Sequence, residues 1–434
     1  MMKYYIESLG CAKNLVDSER FAAILNTYGF RETAYVEDAD LILVNSCAFL
    51  VASFEELDNV LSQIDEIRNR KKSKLVVSGC VMNRGLKEFQ QLFPEVNKWI
   101  PLKDFAAFEK YILRYVLPKN IAAKKLDLND RLPLQSGQHV YLRIADGCQN
   151  FCSYCMIPYI RGKLVSEPIE ALVAEAKAQS YRGRELVLIA QDSCLYGTDI
   201  YGEKALPQLI AALHEIPGYD WIRIMYMHPD HFEPEWTELW KKYPKLLAYF
   251  EIPIQHSCDR IIKLMNRKKG YQELKELFCH IKKEVPKAVF RTTIMVNYPS
   301  ESQQERALID KFLKEVDILQ VGVFAYSPEE FDKPYESPAD FDWAKNQELE
   351  TEYAIKLAKA KEAKMQSFVG TRQQMLVEGF DEELQAWYGR IWFQAPEIDG
   401  LAYVDGLPQD SPLLVEVEVV DALTDELWCA AITD

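Results

Sequence analysis

The sequence predicts a multidomain α/β protein: an N-terminal doubly wound α/β domain, a central partial (βα)6 barrel, and a small OB-like C-terminal β-barrel. Three observations predict it. Strand-like and helical apolar patterns alternate over the first 115 residues. Six more strand-like runs, with helical patterns between them, follow over about 190 residues. The last 65 or so residues carry five short β-like runs and no helical period. At 434 residues the chain also exceeds one ordinary core.

The elements run in this order. "KYYIESLG" is a short β-rich run, and "SERFAAILNTYGF" has helical spacing that ends at a glycine. "ADLILVNS" is the continuous apolar run of a buried parallel strand, followed by the helical "EELDNVLSQIDEIRNR". "SKLVVSG" is a third strand and "GLKEFQQLF" begins the next helix, which completes a first domain at residues 1–116. Residues 117–137 mix prolines, lysines and small residues without apolar period and read as a linker. The second domain, 138–335, takes its strands from "HVYLRIA", "RELVLIAQ", "WIRIMYM", "AYFEIPI", "AVFRTTIMV" and "LQVGVFAY". A charged connecting helix spans 336–367. The last domain, 368–434, holds "QQMLVEGF", "AWYGRIWF", "GLAYVDG", "LLVEVEVVDA" and "LWCAAIT".

The start shows no basic region followed by an apolar one, and no apolar run approaches the ~18 residues of a membrane span. A cytoplasmic location and no membrane partner are expected. Ten cysteines in a reducing compartment favour metal or redox chemistry over disulfides. The net charge of −15 is concentrated: residues 371–434 hold two cations and fourteen acids, the first 370 hold 49 and 52. So acidic a tail repels a phosphate backbone and attracts basic partners, unless it serves only solubility.

Six of the ten cysteines fall into two patterns. Each strand of the first domain runs into one, Cys11, Cys47 or Cys80. In a parallel sheet these positions share the carboxyl edge, where such folds bind ligands. The others are Cys148, Cys152 and Cys155 in "DGCQNFCSYC", which begins right after the first barrel strand, at the catalytic end of that architecture. C-x3-C-x2-C lacks the second knuckle or nearby histidine of structural zinc, and a redox pair needs no third thiol. Three thiolates suit three corners of a four-iron cube, leaving one iron open. Cys194, Cys258, Cys279 and Cys429 lie outside both patterns and read as structural.

C-x3-C-x2-C after the first strand of a partial barrel resembles the radical S-adenosylmethionine enzymes. The resemblance implies that the open iron chelates S-adenosylmethionine (SAM) and that one electron cleaves it to methionine and a 5′-deoxyadenosyl radical. The wider run "DGCQNFCSYCMIPYIRGKLVS" is similar to the methylthiotransferases of that superfamily. Their N-terminal domain holds a second four-iron cluster on three separated cysteines, which Cys11, Cys47 and Cys80 match. Gly389, Arg390 and "APEIDG" (residues 395–400) resemble their terminal TRAM domain, so the resemblance covers essentially the whole chain. It implies two 4Fe–4S clusters and SAM as cofactors, with one SAM methylating a sulfur and a second generating the radical.

The resemblance also bears on the substrate. Some members modify adenosine in tRNA; others modify the β-carbon of an aspartate in ribosomal protein S-twelve. "SLGCAKNLVDSE" (residues 8–19) resembles the start of the latter, and the acidic tail suits a basic protein rather than tRNA. The expected partner is therefore ribosomal protein S-twelve, bound by the acidic TRAM domain, with tRNA as the alternative and nucleic acid not favoured. An electron donor such as flavodoxin or ferredoxin is implied. A non-catalytic iron–sulfur sensor is a third reading. No general acid–base pair is expected, because the C–H bond is unactivated.

Further cofactor contacts are expected at Tyr154, inside the triplet, at Gln191 and Asp192, which end the second barrel strand, and at Arg291 and Tyr326 on later strands. Gln255 and His256 in "PIQHSCDRIIKLMNR" follow a strand, where a histidine is equally a structural residue. One stretch departs from the family: "NYPSES" puts Asn297 and Ser300 where "GFPGET" has glycines, and "YSPEEFDKPYES" also diverges.

Overall fold

A computed structural model describes residues 1–69, 72–119, 121–129, 131, 133–329, 341–408 and 411–432. The border expected at 335/336 and the "YSPEEFDKPYES" segment from residue 330 onward lie outside the described residues. The chain divides into two compact units, residues 1–135, 146–164 and 327–341 in one and residues 136–145, 165–326 and 342–434 in the other.

The first unit is built on a parallel sheet of β1 (Lys3–Ser8), β2 (Arg31–Glu32), β3 (Leu41–Ser46), β4 (Lys74–Gly79) and β5 (Lys98–Trp99). Their spatial order is β2-β1-β3-β4-β5. β3 is buried along its whole length, as its apolar run requires. Helices α1 (Ala12–Thr27) and α4 (Phe105–Tyr115) cover one face through Phe21, Ile24, Phe108 and Ile112. Helices α2 (Val51–Ile67) and α3 (Leu86–Leu92) cover the other through Phe54, Leu57, Leu61 and Phe89. Each such side chain contributes ~1.5–3 kcal/mol by leaving water.

The expected linker has no helix or strand among its described residues, yet it is bound to this unit. Leu117, Leu126, Leu128 and Leu134 pack on the α1–α4 layer, and Arg131 is buried in an ion pair with Glu19. The cysteine loop, residues 146–164, also belongs here by its contacts: Met156 and Ile160 pack into the α2–α3 layer.

In the second unit, β6 (His139–Arg143), β7 (Glu185–Ile189) and β8 (Trp221–Ile224) form a parallel sheet in the order β8-β7-β6. β9 (Tyr249–Glu251), β10 (Val289–Val296) and β11 (Gln320–Ala325) form another, β9-β10-β11. A parallel bridge between Ile222 and Leu246 joins the two into a six-stranded partial barrel. After the helix Trp343–Met365 come β12 (Arg372–Asp381), β13 (Ala386–Ile391), β14 (Leu401–Asp405), β15 (Leu414–Ala422) and β16 (Glu426–Ala431). These close into a barrel around Met375, Ile391, Phe393, Val404, Val417 and Leu427.

This small barrel is fastened to the amino-terminal ends of the larger barrel's strands. Glu185, fully buried at the start of β7, pairs with Arg223 (2.6 Å) and with Arg390 (2.5 Å). Arg390 also pairs with Glu378 (2.8 Å), and Arg223 donates to the carbonyls of Trp392 and Gln394. No helix of the described residues is long and apolar enough to cross a membrane.

Candidate active site

β1, β3 and β4 are neighbours in the sheet, and Cys11, Cys47 and Cys80 follow their carboxyl ends. The parallel topology therefore gathers three residues distant in sequence. Two glycines let the loops close. A Cβ on Gly10 would lie 2.8 Å from Cys47 Cβ and 3.1 Å from its Sγ. Gly79, with φ +100°, packs on Ser46, where a Cβ would meet main-chain N and O at 2.4 Å. No residue with a side chain fits either position without displacing the neighbouring strand end.

Cys11 is exposed at the N-cap of α1; Cys47 is half-buried and Cys80 buried. Burial pushes the Cys80 thiol up to about 12, Cys47 and Cys11 push the same way, and the Arg161 guanidinium opposes them. Burial raises Cys47 as well, again with Cys11 adding to it. Three sulfurs gathered at one sheet edge, two of them on thiols that burial holds protonated, fit a soft cationic group that would bind all three as thiolates.

The second triad lies in the same unit. Cys148, Cys152 and Cys155 are half-buried in one loop, folded by Cys148 N–H donating to the Gly162 carbonyl (3.0 Å) and Cys155 N–H to that of Cys152 (2.9 Å). Tyr154 lies between two of them, also half-buried. The loop leads into Arg161, which is buried and reaches toward the first triad: its Nη2 donates to Asn14 Oδ1 and lies 3.5 Å from Cys80 Sγ. Its Nη1 donates to both Asp146 oxygens at 3.1 Å.

In the second unit, Gln191 and Asp192 follow β7 and Tyr326 follows β11, so all three occupy the carboxyl edge of the barrel. Asp192 is buried; Oδ1 accepts from Cys194 N–H (3.1 Å) and Oδ2 faces His231 Nδ1 (2.7 Å). His228 stacks on His231, and Asp192, His228 and His231 each bring a ligand atom within 4.8 Å of the others. That spacing suits a divalent metal, and burial, then Arg267 and His231, hold the His228 ring in the neutral form that ligates, while the cation at Arg267 opposes a second one. Tyr226 and Gln255, also at strand ends, hold left-handed backbone (φ 60° and 65°), strain of the kind that clusters at functional sites.

Other residues fall elsewhere. Arg291 is the third residue of β10, five residues or about 16 Å short of its carboxyl end. It pairs there with Glu251 (3.0 Å) and Asp399 (3.3 Å), and the structure does not bring it to Gln191, Asp192 or Tyr326. His256 is fully buried: Nδ1 accepts from the Ser257 and Cys258 N–H groups, leaving Nε2 to donate to Glu301 (3.0 Å), a structural role. Cys194, Cys258 and Cys429 are buried, and Cys279 is exposed on a helix. Asn297 and Ser300 both keep glycine-like backbone (φ 58° and 65°). Glu301 accepts from Asn297 N–H (2.7 Å) and Arg260 donates to the Ser300 carbonyl (2.7 Å), which hold the turn. Sequence reasoning missed Arg161, Asn14, His228 and His231. Arg161 stands in the quoted family run, but spacing alone does not show which cysteine it faces.

Comparison with known proteins gives a consistent picture. A family described as "Uncharacterized protein family UPF0004" matches residues 3–101, the Radical SAM superfamily matches 142–313, and the TRAM domain matches 369–432. The "Ribosomal protein uS12 methylthiotransferase RimO" of Thermotoga sp. (strain RQ2) is 34% identical, with 98% of this chain and 99% of that protein covered. The proteins of the same name from Thermotoga maritima and Lachnoclostridium phytofermentans are 33% and 34% identical, covering 99% and 97% of this chain and 100% and 98% of theirs. Among solved structures, the radical S-adenosylmethionine methyltransferase TsrM from Kitasatospora setae, with cobalamin and a 4Fe–4S cluster bound, has a TM-score of 0.53 at 12% identity, covering 75% of this chain and 74% of that one. That likeness is one of fold. The chain belongs to the RimO family of radical SAM methylthiotransferases.

Proposed function

We propose that this protein transfers a methylthio group to the β-carbon of an aspartate in ribosomal protein uS12. It would use SAM and two 4Fe–4S clusters, one held by Cys148, Cys152 and Cys155 and the other by Cys11, Cys47 and Cys80. The observation that carries the reading is the gathering of six cysteines as two triads within one compact unit. When bound, such clusters supply one-electron reduction of SAM at Cys148, Cys152 and Cys155 and an open iron for sulfur at Cys11, Cys47 and Cys80. Tyr154, Gln191, Asp192 and Tyr326 are the proposed SAM contacts; Arg291 is not retained among them. The names of the relatives support uS12, and a ribosomal target supports a cytoplasmic location. Flavodoxin or ferredoxin is the proposed electron donor.

The C-terminal barrel is the proposed dock for this basic protein. Its two cations shrink to one at the surface, since Arg390 is buried and Arg372 alone is exposed among the described residues. Tyr388, Tyr403 and Trp428 stand in register across β13, β14 and β16, with the last two rings stacked at 5.1 Å. Burial and then Glu426 and Asp381 raise the Tyr403 phenol, so carboxylates flank the aromatic row. Aromatic faces edged by carboxylates suit lysine and arginine side chains.

The test is anaerobic reconstitution with SAM, a reductant and either uS12 or tRNA, followed by mass spectrometry. One methylthio group on uS12 is expected; product on tRNA and none on uS12 would overturn the substrate.

A further inference from the structure

Arg161 has no place in the function proposed above, yet it is among the most heavily committed charged side chains of the first unit. Its side chain is 1% exposed. One end of the guanidinium holds both oxygens of Asp146 at 3.1 Å. Asp146 Oδ1 in turn accepts from Gly147 N–H (3.0 Å), one residue before Cys148, and Lys103 is ion-paired to the same carboxylate. The other end donates to Asn14 Oδ1 and faces Cys80 Sγ at 3.5 Å. Asn14 Nδ2 donates to the carbonyls of Leu9 (2.8 Å) and Ser46 (2.9 Å), which precede Cys11 and Cys47. Asn14 N–H closes onto the Cys11 carbonyl (2.8 Å). One guanidinium thus touches one cysteine of the first triad directly, the stems of the other two through Asn14, and the stem of the second triad through Asp146. Asp17 Oδ2, 4.0 Å away, is a further anion beside it.

Arginine is the residue type this position needs. It stays charged under all ordinary conditions, and its planar fork serves two partners in fixed directions. A permanent cation with an N–H aimed at a cluster-ligating sulfur stabilises the more negative, reduced form of the cluster, because hydrogen bonds to sulfur and net charge set its potential.

We propose that Arg161 is a positioning residue that couples the two cysteine triads, raising the reduction potential of the cluster on Cys11, Cys47 and Cys80 while fixing the loop of Cys148, Cys152 and Cys155 beside it. This rests on the reading that both triads hold clusters. Its consequence is that radical formation and sulfur transfer are matched through one side chain.

The test compares the full-length reconstituted wild type with Arg161→Gln and Arg161→Lys. Iron content, the midpoint potential of each cluster by redox titration followed by electron paramagnetic resonance, and methylthio product per 5′-deoxyadenosine formed are measured. Arg161→Gln is expected to keep both clusters, to shift the first triad's potential to more negative values, and to lower product per 5′-deoxyadenosine about tenfold or more. Arg161→Lys, which keeps the charge without the fork, is expected to shift less. Unchanged potential and unchanged coupling in Arg161→Gln overturn the proposal. If Arg161→Gln fails to assemble, Arg161→Lys decides by the same potential: a shift to more negative values than wild type supports the proposal and a wild-type value overturns it. Wild-type protein with only four irons would instead sink the two-cluster reading, and Arg161 coupling with it.

Discussion

The two cysteine triads are built in opposite ways. Cys148, Cys152 and Cys155 sit within eight residues of one loop, so chain connectivity alone holds them near one another. Cys11, Cys47 and Cys80 meet only because β1, β3 and β4 pair side by side and Gly10 and Gly79 let their loops touch. A local triad survives modest damage to the fold. An assembled one shares the fate of its sheet, since every loop-closing contact is long-range. On the proposed reading, each triad should therefore be removable without loss of the other.

The largest expected effects come from breaking the triads one at a time. Cys152→Ser should abolish both 5′-deoxyadenosine formation and product, a loss of at least about 10³-fold, because no radical forms without the cluster that reduces SAM. Cys80→Ser should abolish product to the same extent while 5′-deoxyadenosine formation continues. Chromatographic assay of 5′-deoxyadenosine beside mass spectrometry of uS12 checks both; equal loss of 5′-deoxyadenosine formation in the two variants would erase the proposed division of labour.

A control lies in the other unit. Arg390→Ala leaves Glu185 and Glu378 buried with one cation fewer and should cost about 3–5 kcal/mol. Chemical denaturation should show that loss, and iron content in the native protein should stay at the wild-type value. Gly79→Ala is next and should cost about 2–4 kcal/mol, from its left-handed backbone and the clash with Ser46. Here the fall in stability should come with loss of iron from the assembled triad only, read by iron analysis and retained 5′-deoxyadenosine formation. The smallest effect is a gain: Ser300→Gly relieves left-handed backbone and should stabilise by up to about 1 kcal/mol in thermal melts.

The same contrast explains what was legible in the sequence. The local triad was plain from spacing. The assembled triad was legible because each cysteine ends an apolar strand, and parallel strands share a carboxyl edge. Arg291 shows the limit of that reasoning: it lies on a barrel strand, but the third of eight positions is the amino-terminal end, where the small barrel docks. A strand pattern gives faces far better than ends. Arg161 and Asn14 were invisible because their partners are 81 and 5 to 32 residues away, and no periodicity encodes such hydrogen bonds. Asn297 and Ser300 depart from the family's glycines in the sequence; that they keep the glycine-like backbone follows from Glu301 and Arg260, which hydrogen-bond that turn. The acidity of the C-terminal barrel was a matter of counting, whereas the burial of Arg390, which sharpens it, was not.

The central claim is that two separable triads each hold a four-iron cluster. Iron and sulfide analysis of anaerobically prepared protein tests it most directly, with wild type beside the Cys11→Ala/Cys47→Ala/Cys80→Ala variant. The account predicts about eight irons per chain in wild type and about four in the variant, which still forms 5′-deoxyadenosine. About four irons in both would contradict it.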